Sequence, residues 1–161
     1  MRHAAVFVVA LLLAGCPRGG GDTTTPVAPA TPKDVVAAGR ATIEQWRQAY
    51  QVRSFEALAK LYAHDIDLVV VQDGLLLVGW SSVEAMLKDR LARYKEVQVR
   101  LKDIQVTSLG PTAATATAAM TRELGDGVTT VSEGGALTIV LRRDGETWLI
   151  VSEHYSYKRG G

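Results

Sequence analysis

The 161-residue chain is 47% apolar, 22% charged and 6% aromatic, a composition that suits one globular domain with a short appendage and excludes a second domain of normal size. Its 18 Lys and Arg residues offset 17 Asp and Glu residues, and no segment is markedly basic. Because binding to a nucleic-acid backbone needs concentrated positive charge, we expect neither DNA nor RNA as a partner.

The first 15 residues have the layout of an export signal. Arg2 supplies a positive charge, residues 4–13 are all apolar, and small residues lead up to Cys16. The apolar run is about half as long as the ~20 residues with which a helix crosses a bilayer. The segment 1–15 is therefore predicted to be a signal peptide and not a permanent membrane span.

The end of this segment indicates a lipid anchor. Leu13-Ala14-Gly15-Cys16 resembles the lipobox of bacterial lipoproteins, in which the cysteine is acylated and becomes the first residue of the mature protein. Cys16 is the only cysteine in the sequence, so it has no disulfide partner in the chain, and lipidation explains a lone thiol in an exported protein. The alternative is an ordinary signal peptide that is cut elsewhere.

The resemblance to a lipoprotein also implies a location. A lipidated Cys16 would hold the protein at a membrane of the cell envelope, because an anchor with several acyl chains binds a bilayer stably. Pro17 stands where the inner-membrane retention signal of such proteins has Asp. In an organism with two membranes we therefore expect the outer membrane, with the protein facing the periplasm.

Residues 16–32 are predicted to be the lipidated cysteine and a linker rich in Pro, Gly and Thr. The segment holds four of the chain's five prolines, and Val27 is its only large aliphatic residue. Such a stretch cannot bury enough apolar surface to offset the entropy of ordering it. From residue 33 onward the apolar residues become periodic, so we expect a single folded domain over residues 33–161.

Three helices are predicted in the first half of this domain. Apolar residues recur at helical spacing over Lys33–Val52, and Thr31 precedes them as an N-cap. A shorter helix is predicted to start at Ser54. A third helix follows, because Ser81 and Glu84 have the spacing of a capping box.

Strands are predicted to fill the rest of the domain. Two short runs, Asp65–Val71 and Leu75–Val78, precede the third helix, and four longer strands follow it. The alternation of apolar residues slips by one at Lys102 and Asp103, which predicts a β-bulge that bends the sheet. Helices first and an antiparallel meander last predict an α+β fold with helices on one face of a curved, mostly antiparallel sheet.

The order of these elements and a set of short motifs resemble the NTF2-like superfamily, and within it the SnoaL-like and DUF4440-type domains. The resemblance covers residues 35–156 and implies a cone barrel, in which three N-terminal helices wrap a bent sheet and the open end is a pocket. The motifs that carry it are Trp46 and Tyr50 in the first helix, the run Leu61–Asp65, Gly79 before the third helix, and the run Asp144–Val151 that continues to His154 and Ser156.

Members of this superfamily include isomerases, cyclases, dehydratases and non-catalytic binding or assembly domains, so the fold alone does not settle the function. In the isomerase-like members a general-base Asp lies in the first strand, and alignment on Tyr62–Asp65 puts Val70 at that position. The acid of their oxyanion hole would fall near Leu137 or Thr138. Because no acid stands at either place, the resemblance favours a non-catalytic role.

Eight side chains are predicted to line the pocket. His154 shares strand parity with Trp148 and Ser156, so the three are expected to project to one face, which the resemblance makes the pocket face. A pocket histidine can act as an acid or a base, so the alternative function is an isomerase-, cyclase- or dehydratase-type enzyme that uses His154 with Asp67. A histidine that only satisfies a buried strand end is the other interpretation. The predicted lining residues are Trp46, Tyr50, Tyr62, Trp80, Met86, Trp148, His154 and Ser156.

No metal or organic cofactor is expected. Without its signal peptide the chain keeps His64 and His154, and its cysteine is taken up by lipid, whereas a zinc site needs more such ligands. Glycine-rich nucleotide-binding motifs do not occur in the sequence. We therefore expect a membrane-anchored envelope protein that binds a small apolar or amphipathic molecule in the cone, or pairs with a second copy as a homodimer through its sheet.

Overall fold

The structure is a computed structural model that describes residues 30–159. The predicted signal peptide, Cys16 and the linker up to residue 29 lie outside the described residues. Within the part that is described, no helix combines the length and the apolar character needed to span a membrane.

Three helices and six strands make up residues 30–159. The helices are α1 (Pro32–Gln51), α2 (Phe55–Ala59) and α3 (Trp80–Arg93). The strands are β1 (Val69–Gln72), β2 (Leu75–Val78), β3 (Glu96–Gly110), β4 (Ala113–Gly125), β5 (Thr130–Asp144) and β6 (Thr147–Arg159). Two helices precede the first strand and α3 follows the β1–β2 pair, so the predicted set of three N-terminal helices is matched only in part.

The strands form one sheet in the order β2-β1-β6-β5-β4-β3. Neighbouring strands are antiparallel except for β1 and β6, which run parallel. Helix α1 packs across β3, β4 and β6 on one face of the sheet. The predicted α+β fold, with helices against a curved and mostly antiparallel sheet, is confirmed.

The first two helices start where the local sequence predicts. The Thr31 hydroxyl accepts a hydrogen bond from the Asp34 amide at 3.3 Å, and the Thr31 amide donates to the Asp34 carboxylate at 3.1 Å. The Ser54 hydroxyl accepts a hydrogen bond from the Ala57 amide at 3.1 Å. Both predicted N-caps are therefore confirmed, and each satisfies amide groups that the first turn of a helix leaves unpaired.

Helix α3 starts differently from its prediction. Its N-cap is Gly79, at φ +78°, a conformation that glycine adopts easily. The Gly79 amide donates to the carbonyl of Leu68 at 2.8 Å and the Trp80 amide to that of Asp65 at 3.0 Å, so the preceding loop fixes where the helix begins. The predicted Ser81–Glu84 capping box is wrong, because both residues already lie inside the helix.

Strand β1 is shorter than predicted because its first residues form a turn. The Asp65 carboxylate accepts hydrogen bonds from the Asp67 amide at 3.2 Å and from the Arg142 guanidinium at 2.8 Å. A carboxylate that bonds nearby backbone in this way competes with strand pairing. Pairing with β2 therefore starts only at Val69.

The bulge predicted in β3 is confirmed. The pairing of β3 with β4 slips between Lys102 and Gln105, and Asp103 has φ +54°. Further along the strand, β3 approaches α1 closely. A Cβ on Gly39 of α1 would lie 2.8 Å from Cγ1 of Val106, so this contact needs a glycine. The bend thus brings the far part of β3 against the helix.

A second bulge, which the sequence does not predict, lies in β6. Val140 of β5 pairs with Ser152, but the next residue, Leu141, pairs with Ile150, so Val151 is an extra residue in β6. An extra residue reverses which side chains face the helices from that point on. Ile150 is buried before the bulge, and Glu153 is buried after it.

The core fills the space between the helices and the inner face of the sheet. Because α1 is amphipathic, its buried residues recur at helical spacing, as predicted. Burying large apolar side chains stabilises the fold by roughly 1.5 to 3 kcal/mol each. The largest apolar and aromatic side chains of the core are Trp46, Tyr50, Tyr62, Ile43, Leu58, Leu68, Leu87, Leu137, Ile139, Leu141 and Ile150.

Candidate functional site

We call the space between the helices and the inner face of the curved sheet the cone. A cavity of about 240 Å³ lies there between α3, the β1–β2 turn, β4 and β5. We call it the mouth cavity. Part of its wall is apolar and part carries charged and amide side chains. The residues that line it are Gln72, Asp73, Leu75, Met86, Asp89, Arg90, Arg93, Tyr94, Arg122, Leu124 and Glu133.

Larger concavities lie on the outer surface of the domain. A groove of about 530 Å³ runs between α1 and α2, and grooves of about 440 and 390 Å³ lie beside His64 and beside His154. These grooves are more open than the mouth cavity and are lined largely by surface side chains. Because a binding site combines enclosure, apolar walls and a few converging polar groups, the smaller mouth cavity is the better candidate.

Arg90 enters the mouth cavity from the last turn of α3. Its side chain is 7% exposed, its Nη2 donates to Oε1 of Gln72 at 2.7 Å, and its Nη1 donates to the Tyr50 hydroxyl at 3.4 Å. Both of these acceptors are neutral. Burial lowers the pKa of Arg90, but the Coulombic effects of Tyr50, Tyr155 and Glu153 outweigh it, so the pKa lies above its ordinary value. The guanidinium is therefore charged.

Arg122 enters from β4, on another wall of the cavity. It is 2% exposed, and its Nε and Nη2 donate to a single oxygen, Oε2 of Glu133, at 2.9 and 2.5 Å. Its guanidinium carbon lies 5.0 Å from the ring centroid of Tyr155 and 5.6 Å from that of Tyr157, which are cation–π distances. Its buried Nη1 has no hydrogen-bond partner within residues 30–159. An unsatisfied buried donor is costly, so this atom is suited to an added acceptor.

A buried carboxylate lies deeper in the cone. Oε2 of Glu153 accepts hydrogen bonds from Nε1 of Trp46 at 3.2 Å and from the Tyr62 hydroxyl. The same Trp46 nitrogen also donates to the Tyr62 hydroxyl at 2.9 Å. Burial raises the pKa of Glu153, and the hydrogen bond from Tyr62 together with the charges of Arg90 and Arg122 opposes that rise.

Two further polar atoms lie near this carboxylate. Oε1 of Glu153 and the Tyr155 hydroxyl are buried without a hydrogen bond of normal geometry in the described part of the chain. The Tyr155 hydroxyl is nevertheless close enough to Glu153 to lower the pKa of its carboxyl group. Burial, with the nearby Glu153, raises the pKa values of Tyr62 and Tyr155, so both phenols are neutral at ordinary pH. The cone interior is thus polar at several depths and not uniformly apolar.

Four of the eight predicted lining residues lie in or beneath the mouth cavity. Met86 lines it directly, and Tyr50 meets it through the hydrogen bond from Arg90. Trp46 and Tyr62 are buried and lie deeper, where they donate to Glu153.

The other four predicted lining residues lie elsewhere. Trp80 stacks on His64 with ring centroids 4.0 Å apart, and Trp148 is half-buried beside the β5–β6 hairpin. His154 and Ser156 are exposed and border a groove on the outer side of the sheet. The expectation that Trp148, His154 and Ser156 share the pocket face is wrong, because the bulge at Val151 turns the last two outward.

The alternative acid–base pair also lies outside the cavity. Asp67 is exposed in the turn before β1, and His154 is exposed on β6, where it pairs with Val71. The buried acid is the neighbouring residue, Glu153, whose partner across the β1–β6 pair is Val70. An acid therefore lies beside the position where the resemblance places a general base, but on the next strand.

Sequence patterns could have found some of the residues that were missed. Arg122 continues the inward alternation of Met120 and Leu124 in β4, and Arg90 lies on the same helical face as Leu87 in α3. A charged residue within an apolar stripe indicates a buried site. Glu153 gave no such signal, because its inward position depends on the bulge.

The donor groups form no evident metal site. Among residues 30–159, no three His, Cys, Asp or Glu side chains come together as ligands.

Several solved structures are similar to this chain. One is a protein assigned as a dehydratase of the NTF2-like family from Streptomyces avermitilis, with a TM-score of 0.71, 24% identity and coverage of 77% of this chain and 96% of that chain. Another is assigned as a scytalone dehydratase from Novosphingobium aromaticivorans, with a TM-score of 0.68, 11% identity and coverage of 78% and 83%. A third, an NTF2-like protein of unknown function from Pseudomonas putida, has a TM-score of 0.66, 23% identity and coverage of 79% and 89%. At these identities the likeness shows the fold alone.

No curated protein matches the chain. The family comparison is more specific, because the profile of the SnoaL-like domain matches residues 40–159. This range begins within α1 and runs through α2, α3 and all six strands, so it covers the mouth cavity and the buried carboxylate. The chain therefore belongs to the SnoaL-like domain family, with the NTF2-like fold.

Proposed function

We propose that this protein is an exported lipoprotein, anchored to the cell envelope through Cys16, whose SnoaL-like domain binds a small molecule in the mouth cavity without converting it. The observation that carries the proposal is the enclosed cavity of about 240 Å³ into which two buried arginines project. Apolar residues, among them Leu75, Met86 and Leu124, form part of its wall. An amphipathic molecule suits this lining, whereas a wholly apolar one would offer no acceptor to the buried Nη1 of Arg122, which has none within residues 30–159.

The placement of the acidic and basic residues supports binding over catalysis. A general base must reach the proton that it removes, directly or through one water molecule. His154 and Asp67 are exposed outside the cone, and Glu153 is fully buried beneath the cavity and not in its lining. Two of the similar structures are assigned as dehydratases, but their low identity carries no activity over to this chain.

Binding in the cavity can be tested by native mass spectrometry of the full chain, expressed in bacteria and extracted in a mild detergent. We expect a small molecule to remain bound after the detergent is removed. Met86→Trp should fill the cavity and abolish the adduct, whereas Met86→Leu conserves the volume and should keep it. Absence of any adduct, together with no ligand-induced stabilisation in the wild type, would contradict the proposal.

The lipid anchor can be tested separately. Bacteria that express the full chain should incorporate labelled palmitate into the protein, and Cys16→Ser should abolish the label. Pro17→Ala is the matched control and should keep it, since the acylated residue is unchanged. A label that persists in Cys16→Ser would show that the anchor lies elsewhere.

The native mass spectra also give the number of subunits, and this number tests the predicted homodimer.

A further inference from the structure

We infer that the mouth cavity takes a small carboxylate-bearing molecule, whose anionic group binds the guanidinium groups of Arg90 and Arg122. This inference rests on the proposed binding function and names the chemical class of the ligand. Three observations support it. One N–H of Arg122 has no partner among the described residues, the hydrogen-bond acceptors of Arg90 are neutral, and the cavity between them is small and partly apolar.

Arg122 has one donor left over. Two of its nitrogen atoms donate to the same oxygen of Glu133, and the rings of Tyr155 and Tyr157 lie against its guanidinium. Nη1 is buried and makes no hydrogen bond to any described residue. A planar guanidinium with a free N–H is suited to carboxylate oxygens, because its donors match their spacing.

Arg90 lacks a counter-charge among its hydrogen-bond partners. Its guanidinium donates to the amide oxygen of Gln72 and to the hydroxyl of Tyr50, which are neutral groups. The Coulombic effect of the buried Glu153 reaches Arg90 through space, and an anion in the cavity would add a charge-assisted hydrogen bond. Arg90 and Arg122 come from different elements, α3 and β4, and both line this one space.

Apart from Glu133, the other charged residues that line the cavity are exposed. Arg93 and Asp89 form an ion pair with each other at 2.7 Å, and both are more than half exposed, so water screens them. Asp73 lies exposed at the β1–β2 turn and opposes an anion only from the rim. Among the buried lining residues, the two arginines thus face the carboxylate of Glu133, and Glu153, whose pKa burial raises, interacts with both from outside the lining.

The lining also limits the rest of the ligand. At about 240 Å³ the cavity is smaller than the roughly 300 to 1,000 Å³ typical of drug-sized ligands, so the ligand is small. Met86, Leu75 and Leu124 offer apolar surface to its body, and Tyr94 offers a ring. Arg90 lies in the last turn of α3, where the helix dipole is negative, which disfavours a doubly charged phosphate relative to a carboxylate. A compact apolar or aromatic acid fits these conditions.

The test compares three probes on the full chain in detergent. Benzoate and benzamide have nearly the same shape, but only benzoate carries a charge, and phenyl phosphate carries a larger one. We expect benzoate to bind at least about tenfold more tightly than benzamide or phenyl phosphate, as measured by isothermal titration calorimetry and by the rise in Tm.

Variants locate the bound anion. Arg90→Met, and the paired change Arg122→Met with Glu133→Leu that removes both members of their ion pair, should each weaken benzoate binding about tenfold or more. Arg100→Met is the control and should bind as the wild type does, because that arginine is exposed on β3 and does not line the cavity. The unliganded Tm of each variant shows whether it is folded.

Two results would overturn this inference while leaving the proposed function intact. Equal binding of benzoate and benzamide, or tighter binding of phenyl phosphate, would show that the cavity does not select a carboxylate. Loss of benzoate binding in Arg93→Met but not in Arg90→Met would place the anion at the rim. If none of the probes binds and native mass spectrometry also finds no adduct, the proposed function itself fails.

Discussion

The two faces of the sheet carry different kinds of residue. The face toward the helices holds large apolar, aromatic and charged side chains, whereas the opposite face of β4, β5 and β6 holds small and polar ones. Glu153 is fully buried on the first face and its neighbour His154 is exposed on the second. Other exposed residues of the second face are Thr117, Ala119, Thr121, Ala136 and Ser156.

One extra residue in β6 determines which titratable side chain faces the interior of the cone. If Val151 were paired as a regular strand residue and not bulged out, the alternation from Ile150 would place His154 inside and Glu153 outside. With the bulge, the cone receives a carboxylate that accepts hydrogen bonds from Trp46 and Tyr62. The candidate chemistry of the domain therefore depends on a bulge as much as on residue type.

The largest expected difference in stability concerns two tryptophans, one at the centre of the core and one at its edge. Trp46 is fully buried and donates to Tyr62 and Glu153, whereas Trp148 is half-buried near the β5–β6 hairpin. We expect Trp46→Ala to lower the free energy of unfolding by about 3 to 5 kcal/mol, because it opens a cavity and removes a buried donor. Trp148→Ala should cost about 1 to 2 kcal/mol.

Urea unfolding of the two tryptophan variants checks this prediction. A cost for Trp148→Ala equal to that of Trp46→Ala would show that the edge of the core at Trp148 contributes as much stability as its centre. Trp46→Phe separates the two causes, because it keeps an aromatic ring in the core but lacks the donor.

A smaller effect is expected for two neighbouring glycines in β5. A Cβ on Gly135 would lie 2.0 Å from the Ser156 carbonyl oxygen and 2.5 Å from Cα of Tyr157, so the backbone of β6 would have to move. Around Gly134 no described atom lies within 4 Å of the added Cβ. We expect Gly135→Ala to cost about 3 kcal/mol and Gly134→Ala to stay within about 0.5 kcal/mol of the wild type.

The two glycine variants test the register of β5 and β6. This register determines which side chains of β6 face the helices. Thermal and urea unfolding of both variants measure the difference. Equal stability of Gly134→Ala and Gly135→Ala would mean that β6 does not pass against Gly135, and the register beyond the bulge would need revision.

The sequence predicts most of the fold because its signals are local. The periodicity of α1, the N-caps at Thr31 and Ser54 and the phase slip at Lys102 all follow from residues close together in the chain. The start of α3 was mispredicted because it depends on Gly79 and on backbone carbonyls of the preceding loop. A capping box in sequence does not compete with a helix start that is fixed by tertiary hydrogen bonds.

The candidate site could be predicted only in part. Trp46, Tyr50 and Tyr62 were identified as large side chains near the cone, and Met86 does line the mouth cavity. Arg122 and Arg90 were missed although each lies within an apolar stripe, and the contact of Arg90 with Tyr50 joins segments far apart in the chain. The sequence of β6 carries no signal of the bulge at Val151, so the inward position of Glu153 could not be predicted.

The smallest predicted effect is a pH dependence that separates Glu153 from His154. Burial raises the pKa of Glu153 above its ordinary value of 4.5, so the folded protein holds this proton more tightly than the unfolded chain does. Linkage then requires this contribution to stability to be present below that ordinary value and to be lost as pH rises through the folded-state pKa. Glu153→Gln should therefore flatten the decline in unfolding free energy that begins as pH rises above 4.5.

His154→Gln is the matched control, since it changes the adjacent residue on the exposed face, and it should keep the decline. The carboxyls whose pKa values are lowered, such as those of Asp65 and Asp126, lose their stabilising effect only as pH falls below their ordinary value of 3.8, so they do not contribute in this window. Urea unfolding at several pH values gives the slope for each variant. A slope that disappears in His154→Gln and persists in Glu153→Gln would place the histidine, and not the glutamate, inside the cone.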